Sequence, residues 1–204
     1  MIDLSQNTIS TTSGRALLTL DPGIRRAGSA LFFGSRLIAA TVVDNPVKRG
    51  AGVAACVAMG QAIAEWASRA GLGLIHDLIV EWPQVYASQI RKGQSPGDPN
   101  DLLSLVGVGC ALAAQLPDAT LHERRPAEWK GQVPGDTFTA RILGRLEASE
   151  IEVLARGCLR NDPILHTDRI RNLLKSGTAH NAIDAVGIGL DHLGRLGRRR
   201  VIPR

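Results

Sequence analysis

Two short apolar runs that each end in an acid place the strongest constraint on how this chain folds. The first run, LLTL at residues 17–20, ends at Asp21, and the second, LIV at residues 78–80, ends at Glu81. Between them, residues 51–70 are alanine-rich, with apolar residues at helical spacing. Because a helix connects the two strands, they pair in parallel, or the second strand crosses to an edge of the sheet.

Further strands and helices follow from the same patterns. Apolar runs bounded by turn residues predict strands over 15–21, 27–33, 36–43, 76–81 and 119–124, the second and third joined by a tight hairpin at Gly34-Ser35. Helical spacing predicts helices over 51–70, 101–115, 137–155, 168–177 and 178–197. The predicted order, β-β-β-α-β-α-β-α, is that of the α/β ribonuclease H-like fold, a five-stranded mixed sheet with helices on both faces.

The acid at the end of the first run has two interpretations. Asp21 precedes Pro22 and Gly23, and Asp-Pro-Gly is a common turn out of a strand. Alternatively, Asp21 and Glu81 meet at one edge of the sheet if their strands are parallel neighbours, about 4.8 Å apart. Two such carboxylates repel each other, and a pair of divalent ions about 3.5–4 Å apart relieves the repulsion. Ligation by oxygen alone favours Mg²⁺ or Mn²⁺.

A third acid is expected from a helix packed against the same edge. Asp184 lies in HNAIDAVGIGL, among small residues that let a helix come close to a sheet. His180 is four residues earlier and therefore lies on the same helical face as Asp184. A single acid on a helix is usually solvated, but here two candidate edge acids precede it in the chain.

Charge and composition bear on partners and compartment. The net charge is +5, and the last ten residues hold five arginines and no acid. This arm, residues 195–204, either binds nucleic-acid phosphates through Arg198, Arg199 and Arg200 or is a solvated tail. Residues 1–14 are predicted to be a polar lead-in, since they lack the pattern of a signal peptide, and no apolar run reaches the roughly 18 residues of a membrane span. The three cysteines are far apart. We expect a cytoplasmic protein, in a bacterial cell or a phage-infected host, with one domain over 15–194.

Three motifs together resemble a known family. LTLDPGIRRAG, LIVEWPQVY and HNAIDAVGIGL resemble the acidic motifs of RuvC-type Holliday-junction resolvases, specifically their bacteriophage relatives. The resemblance covers residues 15 to about 193. It implies a homodimeric crossover-junction endodeoxyribonuclease of DNA recombination and repair, which uses two Mg²⁺ or Mn²⁺ ions per site to cut four-way DNA junctions. It assigns Asp21, Glu81 and Asp184 as metal ligands, with His180 as the fourth.

The same resemblance implies roles for residues outside the acidic motifs. WKGQVPGD resembles a family segment whose lysine supports the scissile phosphate, which points to Lys130, although an exposed loop lysine fits equally. Arg141, on the next helix, is a candidate to neutralise charge beside it. Tyr86 follows the second acid where the family places an aromatic near the junction centre; the alternative is a core tyrosine. Trp82 and Trp129 are interpreted as packing residues.

Three alternative functions remain. The first is another ribonuclease H-like nuclease, and the second is a DNA-binding protein that has kept the fold without catalysis. The third is an actin-like ATP-binding protein, a class that also opens with an Asp-Gly strand but normally needs two such domains and a second glycine-rich turn. The chain shows no second Asp-Gly strand, and it retains all three acids, which favours the nuclease.

Overall fold

The computed structural model describes residues 14–48, 52–83, 99–131, 133–158, 173 and 179–197. Within these residues, no helix combines the length and the apolarity needed to cross a membrane. Tyr86, Arg198, Arg199, Arg200 and nearly all of the helix predicted over 168–177 lie outside the described residues.

The described strands form one mixed five-stranded sheet, as predicted. They are β1 (Ala16–Asp21), β2 (Arg26–Phe33), β3 (Arg36–Asp44), β4 (Asp77–Glu81) and β5 (Thr120–Arg124), in the order β3-β2-β1-β4-β5. The first three strands are antiparallel neighbours, and Gly34 turns the β2–β3 hairpin with a left-handed φ of 59°. β4 pairs in parallel with β1, and β5 in parallel with β4. The central strand β1 therefore has an antiparallel neighbour on one side and a parallel neighbour on the other.

Helices cover both faces of the sheet. On one face, Leu18 and Leu20 of β1 pack with α1 (Val53–Arg69) and α2 (Pro99–Gln115). On the other face, Leu17 of β1 and Ile79 of β4 pack in a second core. The helices of this second face are α3 (Pro126–Trp129), α4 (Gly135–Leu143), α5 (Ala148–Cys158) and α6 (His180–His192). Alternate side chains of β1 thus enter separate cores, as expected for a strand buried on both faces.

The helix predicted over 137–155 is wrong as a single element. The chain instead forms α4 and α5, separated by residues 144–147. Glu150 explains the break, because its buried carboxylate accepts hydrogen bonds from the backbone N–H of Glu147 and, across the core, from that of Leu37. An acid that binds free N–H groups at a helix start favours a new helix there. The short helix α3 was not predicted.

Candidate active site

Asp21 and Glu81 are placed side by side by the parallel pairing of their strands. The register pairs Thr19 with Ile79 and Leu20 with Val80, so the next two residues along the strands are Asp21 and Glu81. Both carboxylates lie on the same face as Ile79, which packs in the core beneath α6. The predicted parallel pairing is confirmed, and it brings two half-buried acids to one edge of the sheet.

Asp184 reaches the same edge because α6 packs unusually close to the sheet. A Cβ on Gly28, which pairs with Asp21, would lie 1.9 Å from the backbone oxygen of Asn181 on α6. Only glycine fits there without moving the helix. One residue beyond Asp184, the carbonyl of Ala185 accepts a 2.7 Å hydrogen bond from Thr19 Oγ1. These contacts fix Asp184 in a buried position with 7% of its surface exposed.

The electrostatics of the three acids show that they share one poorly solvated space. Burial, followed by the charges of Glu81 and Asp184, raises the pKa of Asp21 well above its ordinary range, while Lys130 acts in the opposite direction. Burial, followed by the charge of Asp184, raises the pKa of Glu81 from 4.5 to about 7, and Lys130 again lowers it. The cluster is thus short of positive charge at neutral pH.

Within the described residues, Lys130 is the cation that acts on both Asp21 and Glu81. Its Nζ lies 2.7 Å from Oδ2 of Asp184 and over the rings of Trp129 and Phe138, at 5.6 and 5.9 Å from their centroids. The side chain is 21% exposed, so Lys130 is not an ordinary exposed loop lysine. It follows α3, a short helix whose start is capped by the Glu128 carboxylate accepting from the Arg125 N–H at 2.9 Å.

Trp129 packs as predicted and also lies near Glu81. Its indole is buried and meets Phe138 edge-on, with 5.1 Å between the ring centroids. The indole N–H lowers the pKa of Glu81, although it completes no hydrogen bond of standard geometry with any described residue. This side chain therefore closes the apolar wall of the site and directs a weak dipole at one carboxylate.

His180 lies at the exposed rim of the cluster. Its Nε2 is 3.5 Å from Oδ2 of Asp184, the i,i+4 relation expected on one helical face, and its side chain is 47% exposed. The neighbouring Asn181 points elsewhere, because its Nδ2 donates to the backbone oxygen of Arg26 at 3.1 Å. Of the two residues on this turn, His180 is the one whose side chain contacts an acid of the cluster, Asp184.

The donor set suits a hard divalent cation in its chemistry. Oδ1 of Asp184 is buried and has no hydrogen-bond partner among the described residues, which leaves a carboxylate oxygen open to a ligand. Asp21 and Glu81 add further carboxylate oxygens at the same edge. Within the described ranges, however, no three His, Cys, Asp or Glu side chains form a ligand set that could hold an ion as they stand. Ligation would require these side chains to move, together with the ammonium now held by Asp184.

Arg141 is not brought to the carboxylates. Its Nη2 donates to the backbone oxygen of Leu196 at 2.9 Å, so its guanidinium anchors the chain that follows α6. Sequence reasoning also missed Thr19, Gly28 and Asn181, which position α6 against the sheet. Gly28 was detectable in principle, since a glycine inside a strand often marks a close backbone approach.

Comparison with known proteins gives a structural match and no sequence match. No protein-family model and no curated protein matches the sequence. The fold is similar to that of Thermus thermophilus RuvC in complex with a Holliday junction substrate, with a TM-score of 0.52, 14% identity, and 90% of this chain and 96% of that one covered. A second structure of Thermus thermophilus RuvC matches with a TM-score of 0.43 and 15% identity over 88% and 97% of the two chains. The chain therefore has the ribonuclease H-like fold, in the arrangement seen in RuvC.

Proposed function

We propose that this protein is a divalent-metal-dependent endonuclease that hydrolyses phosphodiesters in branched DNA, as a Holliday-junction resolvase. The observation that carries the proposal is the meeting of Asp21, Glu81 and Asp184 at one edge of the sheet, where each of the first two has a raised pKa. Like charges held this close together with little access to water are costly for a fold and characteristic of a functional site. The structural similarity to Thermus thermophilus RuvC favours the nuclease over the actin-like alternative.

In this proposal each site residue has a distinct task. Asp21, Glu81 and Asp184, with His180 as the fourth ligand, would hold two Mg²⁺ or Mn²⁺ ions, which supply Lewis-acid stabilisation of the phosphate and an activated water. Lys130, which now donates to Asp184, would donate to a phosphate oxygen once the charge of Asp184 is neutralised. The rings of Trp129 and Phe138 shield one side of the ammonium from water, which would strengthen that contact.

Branched DNA is proposed as the substrate on two grounds. The matching Thermus thermophilus RuvC structure holds a Holliday junction substrate, and the three acidic motifs resemble those of junction resolvases. Tyr86 near the junction centre and Arg198, Arg199 and Arg200 on DNA phosphates complete the proposed interface. Membership of the bacteriophage branch remains a prediction from the motifs.

A homodimer is also proposed, with the α1–α2 face as its interface. On this face Val53 and Leu103 are 81% and 67% exposed, and they line an apolar cleft of about 640 Å³ together with Val57. Large exposed apolar side chains that share a cleft suit association. Two copies related by a twofold axis would place two sites on one junction. Light scattering tests this proposal, and Leu103→Glu is expected to shift a dimer to a monomer.

The deciding experiment is a cleavage assay on a four-way junction, a flap and a linear duplex that share arm sequences. We expect metal-dependent nicking of the junction in preference to the other two. Equal cleavage of all three would favour another ribonuclease H-like nuclease. Junction binding without cleavage in Mg²⁺ or Mn²⁺ would favour a non-catalytic DNA-binding protein.

A further inference from the structure

We propose that an open groove beside Asp21 binds the phosphate backbone of the DNA strand next to the cleaved phosphodiester. The groove has a volume of about 820 Å³ and runs between the turn that follows β1 and the end of β3. Its position makes it a track for the strand that enters the site. This inference rests on the proposed nuclease function and extends it to a substrate-binding surface.

The charge of the groove suits a polyanion. Arg25, Arg26 and Lys48 line it and are exposed, and Asp44 is the acid among its lining residues. Arg26 Nε pairs with Asp44 Oδ1 at 3.0 Å. Within the described part of the chain, Arg25 and Lys48 have no ion-pair partner. Two exposed cations are therefore available to phosphates, the dominant electrostatic contact in DNA binding.

The turn that carries Arg25 is held rigidly by a buried side chain. Asn45 is 8% exposed, and its Nδ2 donates to the backbone oxygens of Ile24 and Ala55, each at 2.8 Å. Its backbone N–H donates to the Arg25 oxygen at 2.9 Å, and its Oδ1 accepts from the Val47 N–H at 2.8 Å. One side chain thus joins the turn, the end of β3 and the first turn of α1. The backbone that carries Arg25 is therefore already ordered before a phosphate binds, so only the side chain has to be ordered on binding.

The same turn is coupled to the acids. Asn181 Nδ2 donates to the Arg26 oxygen at 3.1 Å, and Asn181 lies three residues before Asp184 on α6. At the other end of the turn, a Cβ on Gly23 would lie 1.9 Å from the Arg26 oxygen, so the chain folds back tightly after Asp21. The basic groove and the carboxylates are therefore parts of one fixed surface.

The test measures DNA affinity without cleavage. The wild type, Arg25→Ala, Lys48→Ala and the double variant are titrated into a fluorescent four-way junction in EDTA, between about 50 and 200 mM salt. Removal of one cation that binds a phosphate should reduce the slope of log K against log salt by about 0.9, and Arg25→Lys should retain the wild-type slope. Arg69→Ala, an exposed arginine at the far end of α1, is the matched control and should leave the slope unchanged. Thermal unfolding checks each fold.

The outcomes separate the groove from the nuclease proposal. Unchanged slopes in the double variant, or an equal loss in Arg69→Ala, would overturn the groove, even if the wild type cuts junctions. A wild type that binds through the groove but never cleaves with Mg²⁺ or Mn²⁺ would support the groove and count against the nuclease. A wild type that does not bind DNA would overturn both.

Discussion

The two oxygens of Asp184 have opposite surroundings: Oδ2 lies 2.7 Å from the ammonium of Lys130, and Oδ1 is buried without a hydrogen-bond partner among the described residues. One half of the carboxylate is neutralised by the protein, and the other half is open. A buried acceptor left open costs about 1–3 kcal/mol, so a ligand that binds there stabilises the fold as well as supplying chemistry.

Replacing each acid by its amide should separate folding from catalysis. Asp21→Asn keeps a side chain that serves the Asp-Pro-Gly turn equally well, but the amide is a far poorer ligand for a hard cation. We expect Asp21→Asn, Glu81→Gln and Asp184→Asn to fold and bind junctions while cleavage collapses. Asp118→Asn, an exposed acid in the α2–β5 connection, should cut normally. Full nicking by a folded Asp21→Asn protein would show that Asp21 serves the turn and does not bind a metal ion.

The raised pKa of Glu81 predicts how stability depends on pH. Its pKa is 4.5 in the unfolded chain and about 7 in the fold, so the folded state holds a proton that the unfolded state has released. The metal-free protein should therefore lose stability as pH rises between these values, by about 1–3 kcal/mol. Glu81→Gln should weaken this dependence, as measured by chemical denaturation across the range, and the raised pKa of Asp21 accounts for the part that remains.

Divalent ions should counteract the loss of stability that a rising pH causes. Because an ion must displace the proton of Glu81, saturating Mg²⁺ should raise the melting temperature more at about pH 8 than at about pH 5.5. Thermal unfolding with Mg²⁺ and with EDTA at each pH measures the difference. An identical shift at both pH values, or none, would contradict metal binding by this carboxylate.

Lys130→Ala should reduce the cleavage rate more than it weakens binding. An ammonium aimed at charge that develops on the phosphate acts mainly in the transition state, where one such donor contributes about 3 kcal/mol. The variant also removes the cation that lowers the pKa of Asp21 and of Glu81, so its stability at neutral pH should fall. Single-turnover rates at saturating enzyme measure the effect on cleavage, and gel shifts measure the effect on binding. Equal losses in both would make Lys130 a binding residue.

The sheet was predictable from sequence because its signals are local. The apolar runs before Asp21 and Glu81, with a helix between them, limit the pairing to few choices, and the structure shows the parallel one. The break between α4 and α5 was not predictable, because it depends on Glu150 accepting from Leu37 across the core. Likewise, the sequence suggests Lys130 for a phosphate, but its 2.7 Å contact with Asp184 exists only once α3 and α6 are packed.

Gly28→Ala should disable the site without touching an acid. Its Cβ would lie 1.9 Å from the Asn181 backbone oxygen, so α6 has to move away from β2, and Asp184 moves with it. We expect a loss of stability of about 1–3 kcal/mol and a large loss of cleavage. Gly144→Ala, whose Cβ would meet the Ala140 oxygen at 3.3 Å, is a milder control. Normal cleavage by Gly28→Ala would show that the close approach is not needed for the chemistry.

The basic end of the chain should divide into a structural part and a DNA-binding part. The predicted boundary at 194/195 falls inside packed structure, because Leu196 is buried and its carbonyl accepts from Arg141. Arg195 donates to both carboxylate oxygens of Glu150, at 2.7 and 2.6 Å, and to the Ser35 oxygen at 2.7 Å. The arginines beyond Gly197 lie outside the described residues.

Truncation at two positions tests this division. Burial acts to raise the pKa of Glu150, but the hydrogen bonds from Arg195 and from the backbone hold it low. Removing 195–204 would therefore leave a buried carboxylate without its cation and should lower the free energy of unfolding by about 3–5 kcal/mol. Removing only 198–204 should leave the melting temperature unchanged but flatten the salt dependence of junction binding, by about 0.9 for each phosphate that these arginines neutralise. The variant that lacks only 198–204 keeps Arg195, which binds Ser35 at the hairpin end of the sheet, away from Asp21. Its cleavage rate at saturating enzyme should therefore match that of the wild type. An unchanged salt slope after removal of 198–204 would show that these arginines are a solvated tail.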